Sequence, residues 1–175
     1  LVNKLWNVAR FIISNSEPGI ASQKLNEKNL TVADNWILGK LNNLIKEVTK
    51  NLENYKFSEA GENLRVFTWN DLADWYLEIS KFEGGKAGIL YFILENLLKL
   101  WHPFMPFVTE EIWHELGHKN LLMVDKWPKL TPLTPLPKAG ESDFEMIKEI
   151  IITIRNVRSE NKIEPSRKVK AVIYA

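Results

Sequence analysis

The sequence predicts an all-α fold: a bundle of about six helices with a short irregular or β appendage at its C-terminal end. Three observations predict it. Six stretches repeat apolar residues at three- and four-residue spacing, which marks one face of a helix. Caps, prolines and glycines fall at the ends of those stretches. Only "LLMV" and "KVKAVIYA" read as strands, and the second lies at the very end of the chain.

Val2, Leu5, Trp6, Ala9, Ile12 and Ile13 form the first face. The polar "SNSEPGIASQKLNEKN", with Pro18 and Gly19, reads as a long loop. Thr31 then opens "TVAD", where Asp34 is placed to reach back to the unpaired amides of a new helix. Ile37, Leu41, Leu44, Ile45, Val48, Leu52 and Tyr55 carry that second helix for about five turns at 3.6 residues each. A third follows with Ser58 as its expected N-cap and Ala60, Leu64, Phe67, Leu72, Trp75, Tyr76 and Ile79 on its face. "FEGGKAG" ends it. Ile89, Leu90, Ile93, Leu94, Leu97, Leu98 and Trp101 make the fourth helix, and Val108, Ile112 and Leu116 the fifth.

The corner "LWHPFMPF" joins the fourth helix to the fifth. Pro103 biases His102 away from helical geometry and stops the fourth helix. Pro106 suits the first turn of the fifth, where its missing N–H costs nothing. Phe104, Met105 and Phe107 are expected to fill the gap and set the angle between the two helices.

A proline-rich connector follows, with a short strand expected at Leu121–Val124. Its Pro132-Leu-Thr-Pro135 string has the PxxP form and is read as a stiff spacer. Ser142-Asp-Phe-Glu145 is a capping box for the sixth helix, which carries Phe144, Ile147, Ile150, Ile151, Ile154 and Val157. Pro165 closes it. These boundaries divide the chain into a bundle (1–127), a connector (128–141) and a C-terminal helix with a strand packed on the bundle (142–175).

Without cysteine there are no disulfides or thiolate ligands, which fits a reducing cytoplasmic setting. No apolar run nears the roughly 20 residues of a membrane span. The start, "LVNKLWNVARF", has neither an initiator methionine nor a signal layout, and is read as the start of a piece of a longer protein. The overall balance of 23 basic to 22 acidic residues argues against a general polyanion binder, but the charges are unevenly spread. Residues 1–50 hold seven basic and four acidic residues, residues 148–170 seven and three, and residues 59–83 two and six.

His114-Glu115-Leu116-Gly117-His118 matches the zinc-hydrolase pattern HExxH, in which two histidines one turn apart bind the metal. Gly117 falls at the expected helix end, however, and no third ligand segment follows. Gly84-Gly85 lacks the lysine and strand of a phosphate loop. No residues are assigned to catalysis or to metal. Trp69, Trp75 and Tyr76 read as core, with Asp74 and Glu78 as nearby acceptors for their polar groups.

"LWNVARF", "ADNWILGKLN", "FTWNDLADWYLE", "HPFMPFVTEEIW", Trp127-Pro128 and "IRNVRSENKIEPSRKV" occur in one order with natural spacing. Together they resemble the anticodon-binding domain of the valyl-tRNA synthetases, which are class I aminoacyl-tRNA synthetases. The resemblance covers nearly the whole chain. The Pro18–Asn29 loop and the Pro132–Pro137 connector depart from the pattern.

The resemblance implies a helical bundle that binds the anticodon stem-loop of valine tRNA, attached to a catalytic domain of the same chain. That catalytic domain would use ATP and magnesium and carry His-x-Gly-His and Lys-Met-Ser-Lys-Ser signatures, both absent here. No cofactor, membrane contact or self-association is implied for this piece. The candidate tRNA contacts are Asn7, Arg10 and Phe11 at the end of the first helix, Lys24 and Lys28 in its loop, and Asn35 and Trp36 opening the second. They meet if the first two helices pack antiparallel. Arg10 reads equally as a tRNA contact or as half of a surface ion pair, and Trp36 more readily as core. Arg155, Arg158, Lys162 and Lys168 form a second basic set, either phosphate contacts or a solvated face. A helical protein-interaction scaffold and a zinc hydrolase are the alternative functions.

Overall fold

The computed structural model describes residues 2–15, 30–130, 138–164 and 167–170, with only the backbone of 138–142. The helices are α1 (Val2–Ser14), α2 (Val32–Glu53), α3 (Phe57–Val66), α4 (Leu77–Glu83), α5 (Ala87–Trp101), α6 (Pro106–Glu115) and α7 (Lys138–Glu160). A π-helical stretch, Phe67–Tyr76, joins α3 to α4, so Phe57 to Glu83 is one continuous rod. The described residues thus contain six helical rods and no strand. No helix among them is long and apolar enough to cross a membrane.

Hydrophobic burial decides which rod is central. On α5, Ile89, Leu90, Tyr91, Ile93, Leu94, Leu97, Leu98, Leu100 and Trp101 are all buried, so apolar residues surround it. A helix with that pattern belongs inside. It touches α1, α2, α3 and α6, and the core runs outward from it into Leu5, Ile12, Trp36, Leu41, Leu64 and Leu72.

The cap of α2 forms as its sequence dictates. Thr31 Oγ1 accepts from the Asp34 amide at 3.3 Å, and Asp34 Oδ2 accepts from the Thr31 amide at 2.9 Å. Pro106 stands in the first turn of α6, and Gly117, with φ +92°, follows the end of that helix.

The third rod differs from the plain α-helix expected. Between Phe67 and Tyr76 the amides reach back five residues, as Leu77 does to the Leu72 carbonyl. The buried residues explain the winding: Phe67, Leu72 and Leu77 are five apart, a step that an i→i+5 ladder keeps on one face. Thr68 anchors the stretch. Its hydroxyl donates to the Leu64 carbonyl at 2.7 Å and accepts from Trp101 Nε1 at 3.1 Å.

Several local expectations are corrected. α3 begins at Phe57 without a side-chain cap, one residue before Ser58, after a left-handed residue at Tyr55. His102 stays in helical geometry (φ −55°, ψ −41°) although α5 ends beside it. The amides of Phe104 and Met105 both turn back to the Trp101 carbonyl, and His102 Nδ1 lies 2.8 Å from Thr109 Oγ1. Phe104 and Met105 fill the corner, but Phe107 points outward at 91% exposure.

Leu122–Val124 is a 3₁₀ turn rather than a strand, because Leu122 is buried and its amide bonds to Glu110 (2.9 Å) with no neighbouring strand to pair with. α7 begins at Lys138, a turn before Ser142. Glu145 faces Trp36 and Lys40, partners that offer it both an N–H and a charge. Lys168–Lys170 lie outside any regular element, while Pro132–Pro137 and residues 171–175 lie outside the described residues.

Candidate nucleic-acid interface

α4 brings the first set of candidates together. Lys4 Nζ bonds to Asp74 at 3.2 Å, and Lys81 Nζ lies 5.5 Å from the Phe11 ring centre, so α1 runs alongside the third rod. Glu83 accepts from Thr31 Oγ1 at 3.0 Å, which brings the start of α2 to the same helix. The expected antiparallel pairing of α1 with α2 is not the principal contact of either. α1 packs on α5, α6 and the π stretch, and α2 on α3, α7 and the π stretch. The physical reason is α5, whose all-round apolar surface α1 covers.

Asn7 and Arg10 are exposed, and Arg10 has no ion pair to a described residue. Its surface-ion-pair reading therefore lacks a described partner. Phe11 is half-buried, and its carbonyl accepts from Asn15 Nδ2 at 2.7 Å. The Asn35 side chain turns to the Leu30 carbonyl at 3.5 Å. Trp36 is completely buried, as the core reading requires. Phe144 packs on it with ring centres 4.3 Å apart, and its Nε1 donates to Glu145 at 2.9 Å. Lys24 and Lys28 lie outside the described residues.

The second basic set lies on α7 (Arg155, Arg158) and in the segment beyond it (Lys162, Lys168). That helix is seated by Glu145, which bonds to Lys40 at 3.0 Å, and by Lys148, which lies over Trp36 at 4.9 Å and over Trp75 at 5.4 Å. Burial alone would raise the Glu145 carboxyl, but the Trp36 N–H, Lys40 and Lys148 outweigh it and hold it at about 2. Arg155 lies over Trp75 at 5.4 Å from the ring centre. Trp75 is therefore half-buried beneath two cations of α7, at the edge of the core. α7 packs on α2, and its Lys148 and Arg155 side chains reach across to Asp71 and Trp75 of the third rod. Arg158 donates to the carbonyls of Glu164 and Arg167, and Lys162 and Lys168 are exposed.

Phe82 was not among the candidates. It stands 88% exposed between Lys81, which reaches Phe11, and Glu83, which reaches Thr31. Its signal in the sequence is an aromatic off the apolar face of its helix.

The histidine motif does not form a helical pair. α6 ends at Glu115, His118 stacks on Trp113 (ring centres 3.6 Å apart, 9° between planes), and its Nε2 lies 2.7 Å from Glu95. His114 contacts Glu110 and the His118 carbonyl. Among the described residues no group of three or more His, Cys, Asp or Glu could hold a metal ion.

The helical bundle exposes Arg10 on α1, the Phe82 ring on α4, and Arg155, Lys162 and Lys168 on and beyond α7. Its fold is that of an RNA-binding class of domain. The chain belongs to the family described as "Anticodon-binding domain of tRNA ligase", whose model matches residues 34–173. It is 40% identical to the valine–tRNA ligase of Geobacillus stearothermophilus and 39% identical to that of Geobacter sulfurreducens, over 98% of this chain in each case. The chain spans about one fifth of the length of these relatives, 20% and 21% respectively. The same fold occurs in the crystal structure of the ternary complex of Agrobacterium radiobacter K84 agnB2 LeuRS-tRNA-LeuAMS. That likeness has a TM-score of 0.62 and 22% identity, and it covers 75% of this chain and 16% of the other.

Proposed function

We propose that this chain is the anticodon-gripping part of a cytoplasmic valine–tRNA ligase. It holds valine tRNA while the rest of the ligase joins valine to the RNA at the expense of ATP. The observation that carries the reading is 40% identity to such a ligase over 98% of the chain. In this reading the catalytic part of the same polypeptide is its partner, ATP and magnesium act there, and the bundle works as a monomer.

Valine anticodons share a middle adenine and a final cytosine. Reading them requires unstacked bases that are stacked on rings and bonded along their edges. Asn7, Arg10 and Asn35 offer polar groups at the end of the bundle, and the exposed Phe82 ring offers a stacking surface. Lys24, Lys28, Arg155, Lys162 and Lys168 supply charge for phosphate.

A gel-shift series tests this with valine tRNA and the same RNA carrying a changed anticodon. Binding should be salt-dependent and markedly tighter for the valine anticodon. A chain that binds neither RNA is a protein-binding scaffold instead.

A further inference from the structure

The described residues beyond α7, 161–164 and 167–170, double back along it. The turn passes through Lys162 in left-handed geometry (φ +51°), and the Ile163 amide bonds to the Arg158 carbonyl at 2.9 Å. Val169 and Lys170 then share a groove with Met146, Ile150, Ile154 and Val157. That groove holds about 570 Å³ of open space, so close packing is not what fixes the returning segment.

Arg158 supplies the fixation. Its Nη2 donates to the Glu164 carbonyl at 2.6 Å and to the Arg167 carbonyl at 2.9 Å. A planar guanidinium holds its N–H donors in fixed directions and can bind two carbonyls of one returning segment at once, which a lysine ammonium on a flexible stem does poorly. The stapled segment carries Lys162, Arg167, Lys168 and Lys170, all exposed and without an ion pair to a described residue. Glu164 is the opposing acid among them.

We propose that Arg158 is a positioning residue that holds Lys162, Arg167, Lys168 and Lys170 in place as a phosphate-binding edge for the RNA. This inference rests on the tRNA-binding reading and deepens it by assigning Arg167 and Lys170 to the interface. Cations already held in position bind phosphate without the ordering cost that a loose tail incurs.

The test is equilibrium binding of the 175-residue chain to a valine tRNA transcript across a potassium chloride series. Arg158→Gln, Arg158→Lys and the double variant Lys168→Gln/Lys170→Gln are compared with wild type. Helix content and melting are checked for each. If Arg158 is a staple, Arg158→Lys keeps its charge yet loses as much salt dependence as Arg158→Gln. Both slopes of log affinity against log salt then fall by more than the roughly 0.7–0.9 expected for one phosphate contact.

The double variant leaves the staple intact and should lower the slope by about 1.4–1.8, the equivalent of two contacts. It decides the role of the segment even if the Arg158 variants fold poorly. Wild-type binding by Arg158→Lys alongside a one-contact loss in Arg158→Gln would make Arg158 itself the phosphate ligand and overturn the staple. An unchanged slope in the double variant would remove the edge. A wild-type chain with no salt-dependent affinity would refute the tRNA reading instead, a distinct result.

Discussion

Tyr76 donates its hydroxyl to Asp34 Oδ1 at 2.7 Å across 42 residues of chain, and both side chains are buried. The other carboxylate oxygen of Asp34 takes Lys86 Nζ at 2.6 Å and the Thr31 amide at 2.9 Å. One carboxylate therefore closes the cap of α2 and ties it to the π stretch and to the residue preceding α5. Burial pushes the Tyr76 phenol far up, and the Asp34 bond and charge push it the same way, so it remains a donor. Burial works to lower the Lys86 ammonium, but its bonds to Asp34 and Glu83 outweigh that and hold it above its ordinary value.

Removing the acid should therefore cost more than removing the phenol. Asp34→Ala breaks the buried pair with Lys86, leaving Glu83 as its remaining acidic partner at 2.8 Å. It also removes the acceptor of the Tyr76 hydroxyl and of the Thr31 amide, and together these losses cost about 3–5 kcal/mol. Tyr76→Phe loses one hydrogen bond to a charged acceptor, about 1.5–3 kcal/mol. Urea melts of the two variants measure both. Equal and small losses would show that the cluster does not join these elements. A raised lysine contributes stability below its unfolded value and loses it as pH rises through the folded one, so alkaline unfolding should move to lower pH in Asp34→Asn.

The α7 seat has the opposite pH sense. Glu145 is held at about 2 against an ordinary 4.5, so its contribution is present above the ordinary value and is lost as pH falls through about 2. Asp71, on the same seat, is raised chiefly by burial, so acid relieves its charge and offsets part of that loss. Tryptophan fluorescence should report a change in the surroundings of Trp36 and Trp75 between about pH 4.5 and 2. Glu145→Gln should weaken the seat at neutral pH and remove that change. Matching acid titrations for the variant and wild type would rule out this role for Glu145.

Two tryptophans should behave differently. Trp101 is buried and bonded to Thr68, so Trp101→Ala should destabilise the whole bundle by about 3–5 kcal/mol. Trp75 is half-buried under Lys148 and Arg155, and such cation–ring contacts contribute about 0.5–1 kcal/mol each when exposed. Trp75→Ala should loosen α7, with faster amide exchange there, and leave α5 protected. A global loss equal to that of Trp101→Ala would return Trp75 to the core.

What could be read from sequence was what neighbours in the chain decide. Thr31 and Asp34 are three residues apart, Pro106 acts on its own turn, and Gly117 ends its own helix. The π winding left a trace in the five-residue steps Phe67, Leu72 and Leu77, which a search for three- and four-residue spacing passes over. The partners of buried polar groups left none. Trp36 finds Glu145 at a separation of 109 residues, and Tyr76 takes Asp34 rather than the neighbouring Asp74 or Glu78. Only the packing of α2 against α7 and against the π stretch decides such pairs. Asn7 to Phe11 became candidates because resemblance marked them, whereas Phe82 became one only when its ring was found in solvent.

Arg10 is where readout of the anticodon should show. It shares a face with Asn7 one turn earlier, is exposed, and has no ion pair to a described residue. Its guanidinium can hold a phosphate through two hydrogen bonds or stack on and bond to a base edge. A phosphate contact predicts that Arg10→Ala weakens every tRNA alike and lowers the salt slope by roughly 0.7–0.9. A base contact predicts a loss of about 1–3 kcal/mol confined to RNAs with the valine anticodon, by analogy with direct readout in DNA. The second outcome is expected, because in the proposed interface the cations of α7 and its returning segment would supply charge for the backbone. Melting should be unchanged, since surface substitutions away from caps and cores move stability by only about 0.5 kcal/mol. Unaltered valine tRNA affinity in a well-folded Arg10→Ala protein would take Arg10 out of the interface and leave readout to Asn7, Asn35 and Phe82.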